Sequence, residues 1–191
     1  MSNLTAFPLH KMDYYPLIEI KNAFTVEECD QIIYHLKKKL APSALAYDQI
    51  NKEIRDSESV FINRFYDSEW IFEILAEHVL KTNNQYYGFE LNYFGEGAQF
   101  TKYGIGQHYT WHKDFGSQFF SNRKLSMVVQ LSDQSEYQGG ELEFMEPFGR
   151  TAIKDKGAMI IFPSFEYHRV KAVTEGTRYS LVSWVSGAPF R

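Results

Sequence analysis

Two stretches in the first half of the chain repeat apolar residues at helical spacing, whereas the second half breaks into short runs of strand type. Between Thr25 and Lys39, the residues Val26, Cys29, Ile32, Ile33 and Leu36 fall at helical spacing. Thr25 followed three residues later by Glu28 is the pattern of a capping box, and Glu27 complements the positive end of the helix dipole. Lys37, Lys38 and Lys39 close the last turn ahead of Pro42. A second helix is predicted from Ser68 to Lys81, with Ile71, Ile74, Leu75, Val79 and Leu80 on its apolar side. The polar, aperiodic segment from Pro42 to Val60 reads as a long loop beside a site.

After Tyr86 the runs 91–94, 98–103, 125–131, 141–145, 158–162, 168–173 and 179–185 read as strands. Gly139-Gly140, Gly157 and Glu175-Gly176 mark turns between them. In 125–131, Leu125, Met127, Val129 and Leu131 alternate with Ser126 and Gln130, as a strand with one buried face should. Helices followed by seven strands predict a mainly β fold, an antiparallel sandwich or barrel packed against N-terminal α-helices. One domain is expected over 1–191, with 1–90 as helical support and loop region and 91–187 as the core.

Bulk properties narrow the function. Hydrophobic residues make up 44% of 191 positions, enough for a real core, and the formal net charge of -4 argues against general nucleic-acid binding. A single cysteine, Cys29, excludes an intrachain disulfide and reads as a buried thiol. No basic start followed by an apolar run is evident, and no stretch approaches the roughly 18 apolar residues of a membrane span. A soluble, cytoplasmic protein without membrane contact is the expectation.

The candidate chemistry lies in the run Trp111-His112-Lys113-Asp114-Phe115-Gly116. In extended backbone, His112 and Asp114 project from one face and can converge on one ion. His168 opens a later strand-type run, and two imidazoles with one carboxylate form the facial triad that holds non-haem Fe(II) with positions left open. His-x-Asp alone carries little weight, but Arg178 follows His168 by ten residues, across the Glu175-Gly176 turn. A guanidinium there suits the distal carboxylate of a dicarboxylate whose other end chelates iron. The charges of Fe(II), Arg178, Asp114 and such an oxoacid sum to zero, so the site could be buried at modest cost.

The ordered series Gln99-x-x-x-Tyr103, Tyr109-x-x-His112-x-Asp114, Arg123-Lys124-Leu125-Ser126, Gly139-Gly140-Glu141-Leu142, Gly157-x-x-x-x-Phe162-Pro163 and His168-x-Val170-x-x-Val173-x-x-Gly176-x-Arg178 resembles prolyl 4-hydroxylase-like oxygenases. Arg178-x-Ser180 with Trp184 resembles the bacterial PKHD-type hydroxylases in particular, because animal and plant prolyl hydroxylases usually carry lysine where Arg178 stands. The resemblance is dense over about 90–187 and looser over 17–36. It implies a double-stranded β-helix (jelly-roll) core and an oxygenase that uses Fe(II), 2-oxoglutarate and O2, with ascorbate as reductant. His112, Asp114 and His168 match the iron ligands, and Arg178 and Tyr103 match residues that bind the distal carboxylate of 2-oxoglutarate. Tyr109 and Trp184 match aromatic positions near the substrate, and Arg123 a basic residue at its mouth.

The implied reaction is hydroxylation of a C–H bond of a peptidyl proline or other amino-acid side chain, on a peptide, protein or amino-acid substrate. Two other readings are a cupin-like metal enzyme that uses no oxoacid and a non-catalytic sensor on the same fold. Arg178 and Tyr103 argue against the first, and the complete triad against the second. The loops 42–60 and 115–124 are expected at the rim, where Phe119 and Phe120 could supply apolar contacts and Arg55 or Arg123 could meet a substrate carbonyl or carboxylate. His10, His35, His78 and His108 are expected to be incidental.

Overall fold

The computed structural model describes residues 14–45, 50–65, 67–145 and 149–190. The first half contains β1 (Ile18–Ile20), α1 (Val26–Leu36), β2 (Ala41–Pro42), β3 (Arg55–Asp56), β4 (Glu58–Ile62) and α2 (Glu69–Thr82). Next come β5 (Leu91–Tyr93), β6 (Ala98–Tyr103), β7 (His108–His112), β8 (Arg123–Gln130) and β9 (Tyr137–Gly139). The chain closes with β10 (Leu142–Phe144), β11 (Arg150–Thr151), β12 (Met159–Pro163), β13 (His168–Val170), β14 (Val173–Gly176) and β15 (Arg178–Gly187).

The large sheet runs β1-β12-β8-β15-β6-β4-β2, and β5 pairs with β15. A second sheet runs β11-β10-β13-β7-β3, and β14 pairs with β9. All the strand pairings are antiparallel, as a jelly roll requires. The two helices cover one face of the large sheet. There Cys29, Ile32, Leu36, Ile71, Phe72, Leu75 and Val79 share a core with Phe100, Leu125, Met127, Val129 and Leu181.

The capping box forms: the Glu28 backbone N–H donates to Thr25 Oγ1 at 3.1 Å, and the Thr25 N–H donates to Glu28 Oε2 at 2.8 Å. α1 ends at Leu36, three residues short of the expected Lys39, and Val26 at its start is exposed. In α2, Leu80 is likewise exposed while Phe72 takes its place in the core. Gly157 sets the approach of α1 to the sheet. Its φ is +80° and a Cβ there would clash with the Phe24 carbonyl, so only glycine lets the Phe24 N–H reach the Gly157 carbonyl at 3.0 Å.

Two expectations are corrected. The 42–60 segment is not one loop, because β3 and most of β4 lie in it; positions 46–49 fall outside the described residues. β4 pairs with β6 along Glu58 to Ile62 but is only partly buried on both faces, so its sequence lacks a clean alternation. β8 has both faces buried rather than one. Leu125, Met127 and Val129 meet the helices, whereas Ser126, Val128 and Gln130 face the space between the sheets. β15 follows the same rule: Arg178, Ser180, Val182 and Trp184 line an internal cavity, and Leu181 and Val185 join the helix-side core. The polar positions of these strands are buried, and Arg178 and Ser180 of β15 line the cavity instead of a solvent face.

Candidate active site

The cavity between the sheets holds about 510 Å³, within the range of small-ligand sites. Three ligand-type side chains converge on its wall. His112 ends β7, Asp114 sits in the bend that follows, and His168 opens β13, directly opposite His112 in the strand register. Asp114 Oδ1 lies 3.9 Å from His112 Nε2, and Oδ2 lies 3.8 Å from His168 Nε2. One potential ligand atom from each residue lies within 4.8 Å of the others, and together they form a candidate metal group among the described residues.

Each histidine is oriented by its own strand. His112 Nδ1 meets the Thr110 carbonyl at 2.8 Å, and His168 Nδ1 meets the Glu166 carbonyl at 3.0 Å. A carbonyl can only accept, so Nδ1 donates in each ring and Nε2 is turned toward the shared point. Burial and the nearby His168 push His112 down to about 3, so the imidazole is neutral near pH 7. For Asp114, burial alone would raise the pKa. His168, His112, Arg123 and a Ser126 hydrogen bond outweigh it and hold the carboxyl low, at about 2.

Asp114 is fixed from several sides. Ser126 Oγ donates to its Oδ2 at 2.7 Å, and Ser126 and Ser164 hydroxyls lie 3.0 Å apart. The Phe115 N–H donates to the Ser164 carbonyl at 2.8 Å, pinning the bend. Arg123 Nη1 donates to the Asp114 carbonyl at 3.1 Å, while its Nε and Nη2 grip Glu96 at 2.7 and 2.6 Å. The Arg123 guanidinium is also packed between Trp184 and Phe120, at 4.1 and 4.6 Å from the ring centroids. It therefore braces the Asp114 bend as well as lining the cavity. Neither Glu96 nor Ser126 was singled out as a site residue from sequence; the polar phase of β8 was the available signal for Ser126. Ser126→Ala should lower divalent-metal affinity about tenfold, as loss of an orienting partner typically does. Competition against a calibrated chelator measures it, and affinity within twofold of the parent would contradict the role.

At the other end of the cavity Arg178 is 1% exposed. Its Nη2 donates to Gln130 Oε1 at 2.9 Å, its Nη1 lies 3.4 Å from Ser180 Oγ, and its Nε has no partner among the described residues. The sheet sets Arg178 opposite Tyr103, whose ring centroid is 5.5 Å from the guanidinium carbon. Gly140 makes room for the side chain, since a Cβ there would come within 3.1 Å of Arg178 Cδ. Glu175, the acid that could have paired with it, instead accepts from Gln138 at 2.7 Å. Among the described residues Arg178 has no ion pair, so the cavity wall carries a buried positive charge there.

Tyr109 stacks on His112 with centroids 3.5 Å apart, and Trp184 and Tyr103 also line the cavity. His108 points elsewhere, to the carbonyls of Gly106 and Glu53, each at 3.2 Å. His10 lies outside the described residues, and His35 and His78 are not in the triad. Of the rim residues, Phe120 lines the cavity while Phe119 is 43% exposed.

Residues 98–186 match the model of the 2OG-Fe(II) oxygenase superfamily, a span that contains the triad, Arg178, Tyr103, Tyr109, Arg123 and Trp184. A PKHD-type hydroxylase of Janthinobacterium sp. (strain Marseille) is 38% identical over 93 residues, covering 45% of this chain and 41% of that protein. Another, from Prochlorococcus marinus (strain MIT 9211), is 38% identical over 90 residues, covering 47% of this chain and 41% of that protein. The match thus spans about two fifths of the length of these curated relatives. A Pseudomonas putida prolyl-4-hydroxylase shares the fold with a TM-score of 0.73 at 18% identity, over 91% of this chain and 94% of that one. A Trichoplax adhaerens prolyl hydroxylase in complex with a hypoxia inducible factor peptide gives 0.77 at 15% identity, over 90% and 84%. In sequence the chain is similar to PKHD-type hydroxylases, and in fold to prolyl 4-hydroxylases.

Proposed function

We propose that this chain, similar to the prolyl 4-hydroxylase-like members of the 2OG-Fe(II) oxygenase superfamily, is itself an Fe(II)- and 2-oxoglutarate-dependent oxygenase that hydroxylates a C–H bond of an amino-acid side chain. The observation that carries the reading is the pairing, in one cavity, of a His112–Asp114–His168 cluster with a buried guanidinium that lacks a counter-ion among the described residues. Two imidazoles and a carboxylate suit Fe(II) and leave positions free. The unpartnered Arg178 Nε suits the far carboxylate of a dicarboxylate, with Tyr103 beside it.

In this proposal His112, Asp114 and His168 hold the metal, and Arg178 and Tyr103 orient the oxoacid. Tyr109, Trp184 and Arg123 border the substrate, with Arg123 also steadying the Asp114 bend. The bound iron and oxoacid would supply O2 activation coupled to loss of CO2 and release of succinate, with ascorbate as a reductant for the metal. The cavity walls would limit water access during turnover. In this proposal the described residues of 91–187 form the catalytic core, and those of 14–90 support it and contribute Arg55, Ser59 and Phe61 to the cavity wall. A peptide, protein or amino acid is the proposed substrate class. No helix among the described residues is long and apolar enough to cross a membrane, and a cytoplasmic setting fits the lone buried thiol of Cys29.

The test is aerobic incubation with Fe(II) and 2-oxoglutarate across proline-containing peptides and free amino acids. Succinate should form in an iron- and oxygen-dependent way, and its rate should rise with a true substrate. Absence of succinate under all these conditions, with metal bound, would favour the cupin-like reading instead.

A further inference from the structure

We infer that the cavity accepts a substrate bearing a carboxylate near the carbon to be oxidised, and that Arg55 is the residue that reads this carboxylate. The inference deepens the oxygenase reading and rests on it. Arg55 lies on β3, at the edge of the smaller sheet, and is only 8% exposed although it lines the cavity. Its Nε donates to Ser57 Oγ and its Nη2 to Gln99 Oε1, both at 3.0 Å. A hydroxyl and an amide oxygen orient the guanidinium but leave its charge unneutralised. No ion pair to Arg55 exists among the described residues, and the neighbouring Asp56 is engaged by Lys52 at 3.6 Å and Gln107 at 3.2 Å.

The charge count of the whole cavity points the same way. Its described lining holds four basic side chains, Arg55, Lys113, Arg123 and Arg178, against two acidic ones, Glu96 and Asp114, in a chain whose formal net charge is -4. Iron would add two positive charges and 2-oxoglutarate two negative ones, so the surplus survives loading. Glu96 is taken by Arg123, Asp114 by the metal, and Arg178 by the oxoacid in this reading. Arg55 and Lys113 remain. Lys113 is exposed at the rim, over the rings of Phe115 and Tyr167, where water screens it. Arg55 is inside, and a buried cation without an anion is costly.

Position and geometry select the ligand. The guanidinium carbon lies 4.9 Å from the centroid of Tyr109, the same ring that stacks on His112. An anion on Arg55 would therefore sit beside the metal-facing wall without occupying it. With Nε and one Nη2–H engaged, the free edge offers an Nη1–H and the second Nη2–H side by side. That is the fork a carboxylate accepts bidentately.

The test titrates the full chain, loaded with Mn(II) in the absence of oxygen, with N-acetylproline, N-acetylaspartate and glutamate-containing dipeptides, each beside its carboxamide. The titrations are run with and without 2-oxoglutarate, on the parent, Arg55→Lys and Arg55→Ala. At least one carboxylate probe should bind about tenfold or more tightly than its carboxamide, the size of a charge-assisted hydrogen bond. Arg55→Ala should abolish that preference and Arg55→Lys should retain part of it. The inference fails if every carboxylate probe is ignored, if carboxamides bind equally well, or if Arg55→Ala keeps the preference. It also fails if Arg55→Ala instead removes 2-oxoglutarate binding, which would make Arg55 part of the oxoacid site. An Arg55-dependent preference in protein that takes no oxoacid would uphold Arg55 and remove the oxygenase reading. Succinate release without any carboxylate preference would do the reverse.

Discussion

Arg178→Ala is expected to weaken 2-oxoglutarate binding by about 10²-fold or more while leaving metal binding in place. Arg178 is almost fully buried, its guanidinium is held by Gln130 and Ser180, and its Nε faces no acceptor among the described residues. Removing one partner of a buried ion pair typically costs about 3–5 kcal/mol, which converts to that loss of affinity. Arg178→Lys should recover part of it, since it keeps the charge and loses the planar fork. Arg178→Met separates charge from packing. It fills the same space, and because the unliganded site buries an unpaired cation, its stability without the oxoacid should match or exceed that of the parent. Calorimetric titration of the oxoacid into the three variants measures the effect. A dissociation constant for Arg178→Ala within twofold of the parent would move the anchor elsewhere.

The second large effect concerns the metal. His112→Ala and His168→Ala each remove one of three ligand atoms that already lie within 4.8 Å of one another, and each should lose bound divalent metal on gel filtration. The Thr110 and Glu166 carbonyls fix both rings and Ser126 fixes the carboxylate. Such preorganisation makes affinity depend on the complete set, so the two single variants should be nearly as deficient as the double. Elemental analysis decides. Metal content equal to the parent in both single variants would refute the assignment.

Much of this was legible in the chain. Thr25 and Glu28 form the capping box their spacing predicts, and His112, His168 and Arg178 meet across one cavity from strands, with Asp114 in the bend after β7. What sequence concealed has a physical cause. Alternation in β8 reads as core against water, yet Ser126 and Gln130 are buried too, because a second sheet closes over them. β3 and β4 read as loop because their partners lie far along the chain, Arg55 opposite Tyr109 in β7 and Glu58 opposite Lys102 in β6, and no local pattern reports that pairing. The sequence balance of site charges included Arg178 and Asp114 but not Arg55 and Lys113, which only the folded cavity wall brings in. Arg123, expected at the substrate mouth, is also committed to Glu96 and the Asp114 carbonyl, a pairing spread over 27 positions that no motif announces.

The most direct test of the central claim, that one cavity holds a triad-bound metal and an Arg178-bound oxoacid together, is calorimetric titration of 2-oxoglutarate without oxygen, with and without saturating Mn(II). The account predicts binding at least about tenfold tighter in the metal-loaded parent, with that gain lost in His112→Ala and His168→Ala. Equal affinity with and without metal, or a gain that survives both histidine variants, would contradict it.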